Sequence, residues 1–280
     1  MKIIATLCFA FAAFTSLSTS ASASCSNLQD ILDRAYPSAV KAHIGFEIDG
    51  GYRQLVDPAA VACTIWPAEP SLTLLAIPRL ESHPPANAET RGDIEIIMAD
   101  TKSGNIVARY VEKGAAFSDA ITFDSVGLDT GRYDIKRGQR AFGFRARYSH
   151  HSNVTPFNET VLWLFALNGE VISPVLEGLV VEMGRGENDG NCTGDFETKT
   201  SAITMGGLGV RGYRVLIIDQ STSLETTKPG IEDCSAVDKN MGHKRYVLRY
   251  GDPHYGAFDG KATFKDSSYD DLFSPILSDR

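Results

Sequence analysis

The chain has 280 residues, 43% hydrophobic and 22% charged, with 27 Lys and Arg against 35 Asp and Glu and a formal net charge of −8. Such a composition excludes a disordered polyelectrolyte, a collagen and a long coiled coil. It also argues against a nucleic-acid partner, because a net-acidic chain does not attract phosphates over its whole surface. The length suffices for a full hydrophobic core.

The N-terminus reads as an export signal over residues 1–23. Lys2 supplies the positive start, Ile3 to Phe14 is almost wholly apolar, and Ala21-Ser22-Ala23 is a small-residue cleavage site. The apolar run is far shorter than the roughly 20 residues that span a bilayer, and no later segment qualifies, so no integral membrane segment is expected after signal removal. The expected location is periplasmic or secreted. A lipid anchor on Cys25 is the alternative, although Ser22 stands where bacterial lipoprotein sites usually carry Leu.

Loss of the signal removes Cys8 and leaves Cys25, Cys63, Cys192 and Cys234. Four cysteines allow three pairings. Cys25–Cys63 with Cys192–Cys234 is the economical one, because each half of the chain then closes its own loop. No Cys-x-x-Cys spacing points to a metal, and an exported chain meets an oxidising compartment.

In chain order, Ser26 with Gln29 predicts a capping box. Leu28, Ile31, Leu32 and Ala35 then share one helical face, and Tyr36-Pro37 ends the helix, giving a short helix over 27–36. Strands follow. Residues 43–48 and 52–56 flank Gly50-Gly51 as a hairpin, and 71–80 is apolar enough for a central strand. Residues 93–98 alternate through Ile94, Ile96 and Met98, a turn over 100–105 leads to a returning strand at 106–111, and a strand over 121–128 is followed by Thr130-Gly131. In 141–148, Phe142, Phe144, Ala146 and Tyr148 face one way. Residues 161–167 and 170–172 flank Asn168-Gly169, the strongest short-range hairpin signal in the chain. Residues 179–183 lead into a long turn over 184–190, and 213–218 and 246–250 close the series. Turns every ten or so residues, with no helical pattern between them, predict a mainly β protein. The expected architecture is an antiparallel β-sandwich over 24–258 with one short N-terminal helix; the alternative is an irregular barrel or a propeller-like fold. No fixed repeat period is present. Residues 259–280 read as a partly ordered acidic tail.

Two stretches are candidate binding surfaces. Lys136, Arg137, Arg140, Arg145 and Arg147 lie within twelve residues that hold no acid, a pattern suited to an anionic glycan, a phosphate or an acidic protein. The bland reading is a solvated sheet face balanced by acids from a neighbouring strand. His150 and His151 stand in a loop over 149–158, and imidazole is a common metal ligand, but neighbours on an extended chain point opposite ways and rarely share one ion. Glu187, Asp189 and Asp195 flank Gly190, yet lack the spacing of a calcium loop. Trp163, and less clearly Trp66, read as core. No catalytic motif is present: there is no Gly-x-Ser-x-Gly, no His-Glu-x-x-His and no phosphate-cradling Gly-Lys-Ser/Thr. Catalytic residues are therefore unknown, and neither metal nor cofactor is implied. An enzyme would have to assemble its site from distant residues such as Glu182, His243, Asp252 and His254.

Several stretches together resemble a group of uncharacterised exported proteins of Gram-negative bacteria. They are Cys63-Thr64-Ile65-Trp66-Pro67 leading to Thr73-Leu74, Ser118-Asp119-Ala120, Asp129-Thr130-Gly131-Arg132-Tyr133, Arg140-Ala141-Phe142-Gly143-Phe144-Arg145, Asn188-Asp189-Gly190-Asn191-Cys192 and Leu248-Arg249-Tyr250-Gly251. The resemblance implies a periplasmic or secreted β-rich protein and carries no activity with it. The function expected from all this is an exported cell-envelope module that binds a protein or a glycan. Arg140, Arg145, Arg147, His150 and His151 are its first-choice surface. The alternatives are a hydrolase or metal-dependent enzyme, and a structural envelope protein.

Overall fold

The computed structural model describes residues 25–84, 89–230, 233–251, 254–256 and 272–274. The signal segment and most of the tail lie outside them.

Helix α1 (Leu28–Ala35) follows the predicted stripe: Ile31, Leu32 and Ala35 are buried. The predicted capping box does not form. Asn27, not Ser26, holds the N-cap without a side-chain cap, and its Nδ2 donates to the Thr101 carbonyl at 3.2 Å. Gln29 instead donates to Asp33 at 2.7 Å.

Two antiparallel sheets follow. The first holds β1 (Val40–Lys41), β2 (Phe46–Asp49), β3 (Arg53–Val56), β4 (Ala62–Ile65), β5 (Leu72–Glu81), β6 (Gly92–Asp100) and β7 (Ile106–Glu112). Its order is β1-β2-β3-β5-β6-β7, with β3 and β4 sharing successive stretches of one β5 edge. The second holds β8 (Thr122–Lys136), β9 (Gln139–His150), β10 (Phe157–Asn168), β11 (Val171–Asn188), β12 (Gly194–Leu208), β13 (Arg214–Pro229), β14 (Cys234–Tyr250) and β15 (Tyr255–Gly256), paired in sequential order.

Leu74, Ala76, Ile94, Ile96 and Met98 of the first sheet pack on Phe142, Phe144, Tyr148, Trp163 and Phe165 of the second. The Phe144 and Trp163 rings stack at 4.7 Å. The outer face of the first sheet is buried as well, with Leu75, Ile77 and Ile97 beneath Ile31 and Leu32 of α1. Burial on both faces explains why β5 and β6 are buried almost continuously and read as apolar-rich runs, with Arg79, Asp93 and Glu95 the buried charges among them. The second sheet curls, so that Leu216, Ile218 and Leu248 of β13 and β14 cover Leu162, Leu164 and Leu179 on the far face of β10 and β11. A bridge between Lys136 and Tyr213 brings the end of β8 towards the start of β13. The sheet does not close, and the architecture is a β-sandwich.

Both disulfides of the economical pairing are present, Cys25–Cys63 and Cys192–Cys234, with Cα atoms 5.9 and 5.2 Å apart. In this pairing the Cys25 sulfur is bonded to Cys63.

Several expectations are corrected. The stretch 184–190 is not a long turn, because β11 continues to Asn188. Strand β8 runs through Thr130-Gly131 by bulging between Asp129 and Tyr133, where the Asp129 side chain accepts the Gly131 amide at 3.0 Å. In the hairpin after β10, Asn168 pairs with Val171, so the two loop residues are Gly169 and Glu170. Strand β12 and the first half of β14 were not anticipated. Together with the ends of β11 and β13 they form a long ribbon whose β14 part is exposed on both faces, residue after residue from Cys234 to Arg245. Within the tail, Leu272 is fully buried in the second core, and the Ser274 amide donates to the Gly178 carbonyl at 2.9 Å.

Candidate functional site

Three turns and the end of β10 meet at one end of the sandwich around a cavity of about 850 Å³. The β8–β9 turn carries Lys136, Arg137, Gln139 and Arg140; the β4–β5 turn carries Trp66 and Glu69; the β12–β13 connection carries Leu208 and Arg214. Each turn is held by its own backbone. Gly138 takes φ 72° in the first, which favours glycine. In the second, the Trp66 amide donates to Leu72 at 2.9 Å. In the third, Gly209 donates to Tyr213 at 2.6 Å and Tyr213 to Val210 at 3.0 Å. Between them Arg211 adopts φ 55°, left-handed backbone that a non-glycine residue rarely takes.

The first and third turns are cross-linked. Besides the Lys136–Tyr213 bridge, Lys136 Nζ lies 5.0 Å from the centre of the Tyr213 ring, and that ring stacks on Tyr250 at 3.7 Å. Gln139 donates to Asn168 at 2.8 Å. The backbone under the basic residues is therefore pre-set before any ligand arrives.

The cations differ in how they are spent. Arg140 bonds Asp134 at 2.7 Å. Lys136, Arg137 and Arg214 have no carboxylate partner among the described residues, and Arg137 and Arg214 are exposed. Of the lining carboxylates, Asp134 is thus engaged, and Glu69 accepts the Ser71 hydroxyl at 2.7 Å. Trp66 is core, 6% exposed and edge-on to Phe142 at 5.3 Å. Its indole N–H is buried without a partner among the described residues. With the Trp66 face buried and the Tyr213 ring already stacked, neither offers a free platform for a sugar ring. Recognition here rests on positive charge.

The other predicted residues lie apart from one another in their bonding. Arg145 donates to Asp129 at 2.8 Å. Burial works against its charge, but Asp129 outweighs that and holds the guanidinium pKa above its ordinary value. The acid balancing a sheet cation thus comes from the neighbouring strand, as the bland reading had it. Arg147 is exposed, paired through the backbone with Thr160 and Ser125. His150 Nδ1 lies 2.7 Å from the Ala120 carbonyl, and His151 Nε2 lies 3.0 Å from the Ser149 hydroxyl. The two imidazoles bond separate partners, and no group of three or more metal-ligating side chains gathers among the described residues. Asp189 is held below the usual carboxylate range by backbone N–H groups of Asn191 and Thr193, which makes 189–193 a self-capped turn.

The distant residues do not converge either. Glu182 accepts the Thr160 hydroxyl, His243 and Arg245 both face Asp219 on the ribbon, and Asp252 lies outside the described residues. His254 Nδ1 is 2.5 Å from Glu177. That contact borders a group with no sequence signal, Glu112. Burial, and then Glu177 nearby, push its carboxyl up to about 7. Only the packing of β7 against β11 creates this environment, and Glu112 lines neither this cavity nor the larger groove of about 1300 Å³ on the ribbon. In that groove Arg185 is paired with Glu197 at 2.6 Å, and Asp195 accepts the Thr226 hydroxyl at 2.7 Å.

In comparison with known proteins, the chain matches no family model, no curated sequence and no solved structure.

Proposed function

We propose that the protein is an exported binding module of the cell envelope, periplasmic or secreted, and that the basic cavity takes an anionic group of its ligand. The observation that carries this reading is the set Lys136, Arg137 and Arg214, brought from two separate turns to one cavity with no carboxylate of the described residues spent on them. A protein that only needed these cations for its fold would pair them, as it pairs Arg79, Arg109 and Arg145. Export is supported by the N-terminal pattern and by two disulfides, which persist in oxidising compartments. No helix among the described residues is long and apolar enough to cross a membrane. The carboxylates that line the cavity form no acid–base pair, which favours binding over hydrolysis.

Titration calorimetry with short anionic ligands tests the reading. Glycerol 3-phosphate and an oligo-uronic acid should bind the native chain, and Arg137→Gln with Arg214→Gln should weaken them together. A native chain that binds neither, or a double variant that binds as well as the native chain, removes the cavity from consideration.

A further inference from the structure

The same end of the molecule is unusually apolar as well as basic. Among the described residues, nine large hydrophobic side chains are exposed, and four stand on segments that border the cavity: Ile65 at 49%, Val171 at 62%, Leu208 at 74% and Val210 at 51%. Ile65 ends β4 beside Trp66. Val171 opens β11 opposite Asn168, which the β8–β9 turn bonds through Gln139. Leu208 and Val210 sit in the glycine-rich connection Gly206-Gly207-Leu208-Gly209-Val210-Arg211-Gly212. Exposed hydrophobics scattered singly need no account, but a group of them beside free cations marks a surface that meets a partner.

We propose that this end docks on an anionic lipid bilayer, with Leu208 and Val210 entering the headgroup–acyl boundary and the Lys136–Arg137–Arg214 cavity receiving a headgroup phosphate. The inference rests on the anionic-ligand reading above and narrows the ligand to a phosphodiester presented on a membrane. Charge and apolarity together select this partner. A soluble sugar acid or phosphate uses the cations and leaves Leu208 and Val210 in water, whereas a bilayer surface satisfies both, with cations at the phosphates and apolar side chains just below them. Glu69 lines the cavity and Glu170 lies near the tip, but Asp134 is already paired with Arg140, so against Lys136, Arg137 and Arg214 the local balance remains positive. The net charge of −8 does not oppose docking, because a Debye length of about 8 Å at physiological salt confines the membrane's field to the end that touches it. The acidic remainder instead favours this end facing the surface.

Co-sedimentation with lipid vesicles is the test, using the full chain after signal removal. It should pellet with vesicles of equal parts phosphatidylglycerol and phosphatidylcholine, and stay in solution with pure phosphatidylcholine. Removing two cations with Arg137→Gln and Arg214→Gln should weaken binding about 25-fold, at roughly five-fold per cation. Leu208→Ser with Val210→Ser should weaken it about ten-fold or more. All four side chains are exposed, so circular dichroism should show both double variants folded. Binding to glycerol 3-phosphate without pelleting on the mixed vesicles overturns membrane docking and leaves the proposed function standing. Failure of glycerol 3-phosphate, the oligo-uronic acid and the vesicles alike overturns the two together. Equal pelleting on pure phosphatidylcholine, or an apolar double variant that binds like the native chain, overturns the docking geometry.

Discussion

At Glu112 the inner face of β7 carries a carboxyl at the margin of an otherwise apolar interior, and its Oε2 is buried without a partner among the described residues. Its pKa rises from an ordinary 4.5 to about 7. The folded protein therefore keeps a proton that the unfolded chain has already released. Stability is full below about pH 4.5, falls as pH rises towards 7, and is level above that. Glu112→Gln should raise the urea midpoint at pH 8 by an amount worth up to about 3 kcal/mol, and by less at pH 5. An equal gain at both pH values would show that ionisation is not the cause. Glu95 is the opposite case. It is fully buried, yet Arg79 lies 2.8 Å away, Arg109 Nε donates at 2.7 Å and the Tyr36 hydroxyl donates at 2.7 Å. Glu95→Ala strands a buried Arg79 and should cost about 3–5 kcal/mol in urea unfolding. Breaking the exposed Arg53–Glu47 pair should cost under about 1 kcal/mol. Neither carboxylate is distinguishable in the sequence from any other strand Glu, because the difference lies in what the neighbouring strands place beside it.

Among the elements, the ribbon of β11–β14 depends least on a core. Its outer part buries little apolar surface, and Cys192–Cys234 joins its tips. In the chain-entropy model a loop of 42 residues contributes roughly 4 kcal/mol. Cys192→Ser with Cys234→Ser should speed amide exchange over 184–200 and 220–245 while β9 and β10 keep their protection. Emission from Trp66 and Trp163, both in the inter-sheet core, should not change. If tryptophan emission shifts with the exchange rates, ribbon and sandwich unfold as one unit. This is also where sequence reading lost strands. Alternation betrays a strand when one face is wet and the other dry, as in Phe142, Phe144 and Tyr148. Residues 194–204 and 234–245 have little of a dry face, so their polar runs resemble loops. Conversely, the hairpin between β10 and β11 is legible at Asn168-Gly169 to within one residue, because a tight turn rests on local backbone chemistry such as the positive φ of Gly169, although the strand register puts Gly169 and Glu170 in the loop.

For the molecule as a whole, a first sheet buried on both faces and a second sheet that curls over itself make three apolar layers. Leu272 completes the last of them from far along the chain. Leu272→Ala should therefore lower stability by about 2–5 kcal/mol, read as a drop in the urea midpoint with an unchanged slope. No loss would show that the segment adds nothing to the core. The β class, the short helix, the two cysteine loops and the position of the basic run are all legible in the order of the residues. Each follows from local periodicity, turn chemistry or simple loop economy. Only the tertiary structure decided which cations of that run are free. Arg145 meets Asp129 and Arg140 meets Asp134 because β8 and β9 pair in one particular register. Lys136 and Arg137 meet Arg214 because the second sheet curls far enough to bring turns some 75 residues apart to one end. Charge is a property of residues, but an unpaired charge is a property of their neighbours, and neighbours across strands are set by packing.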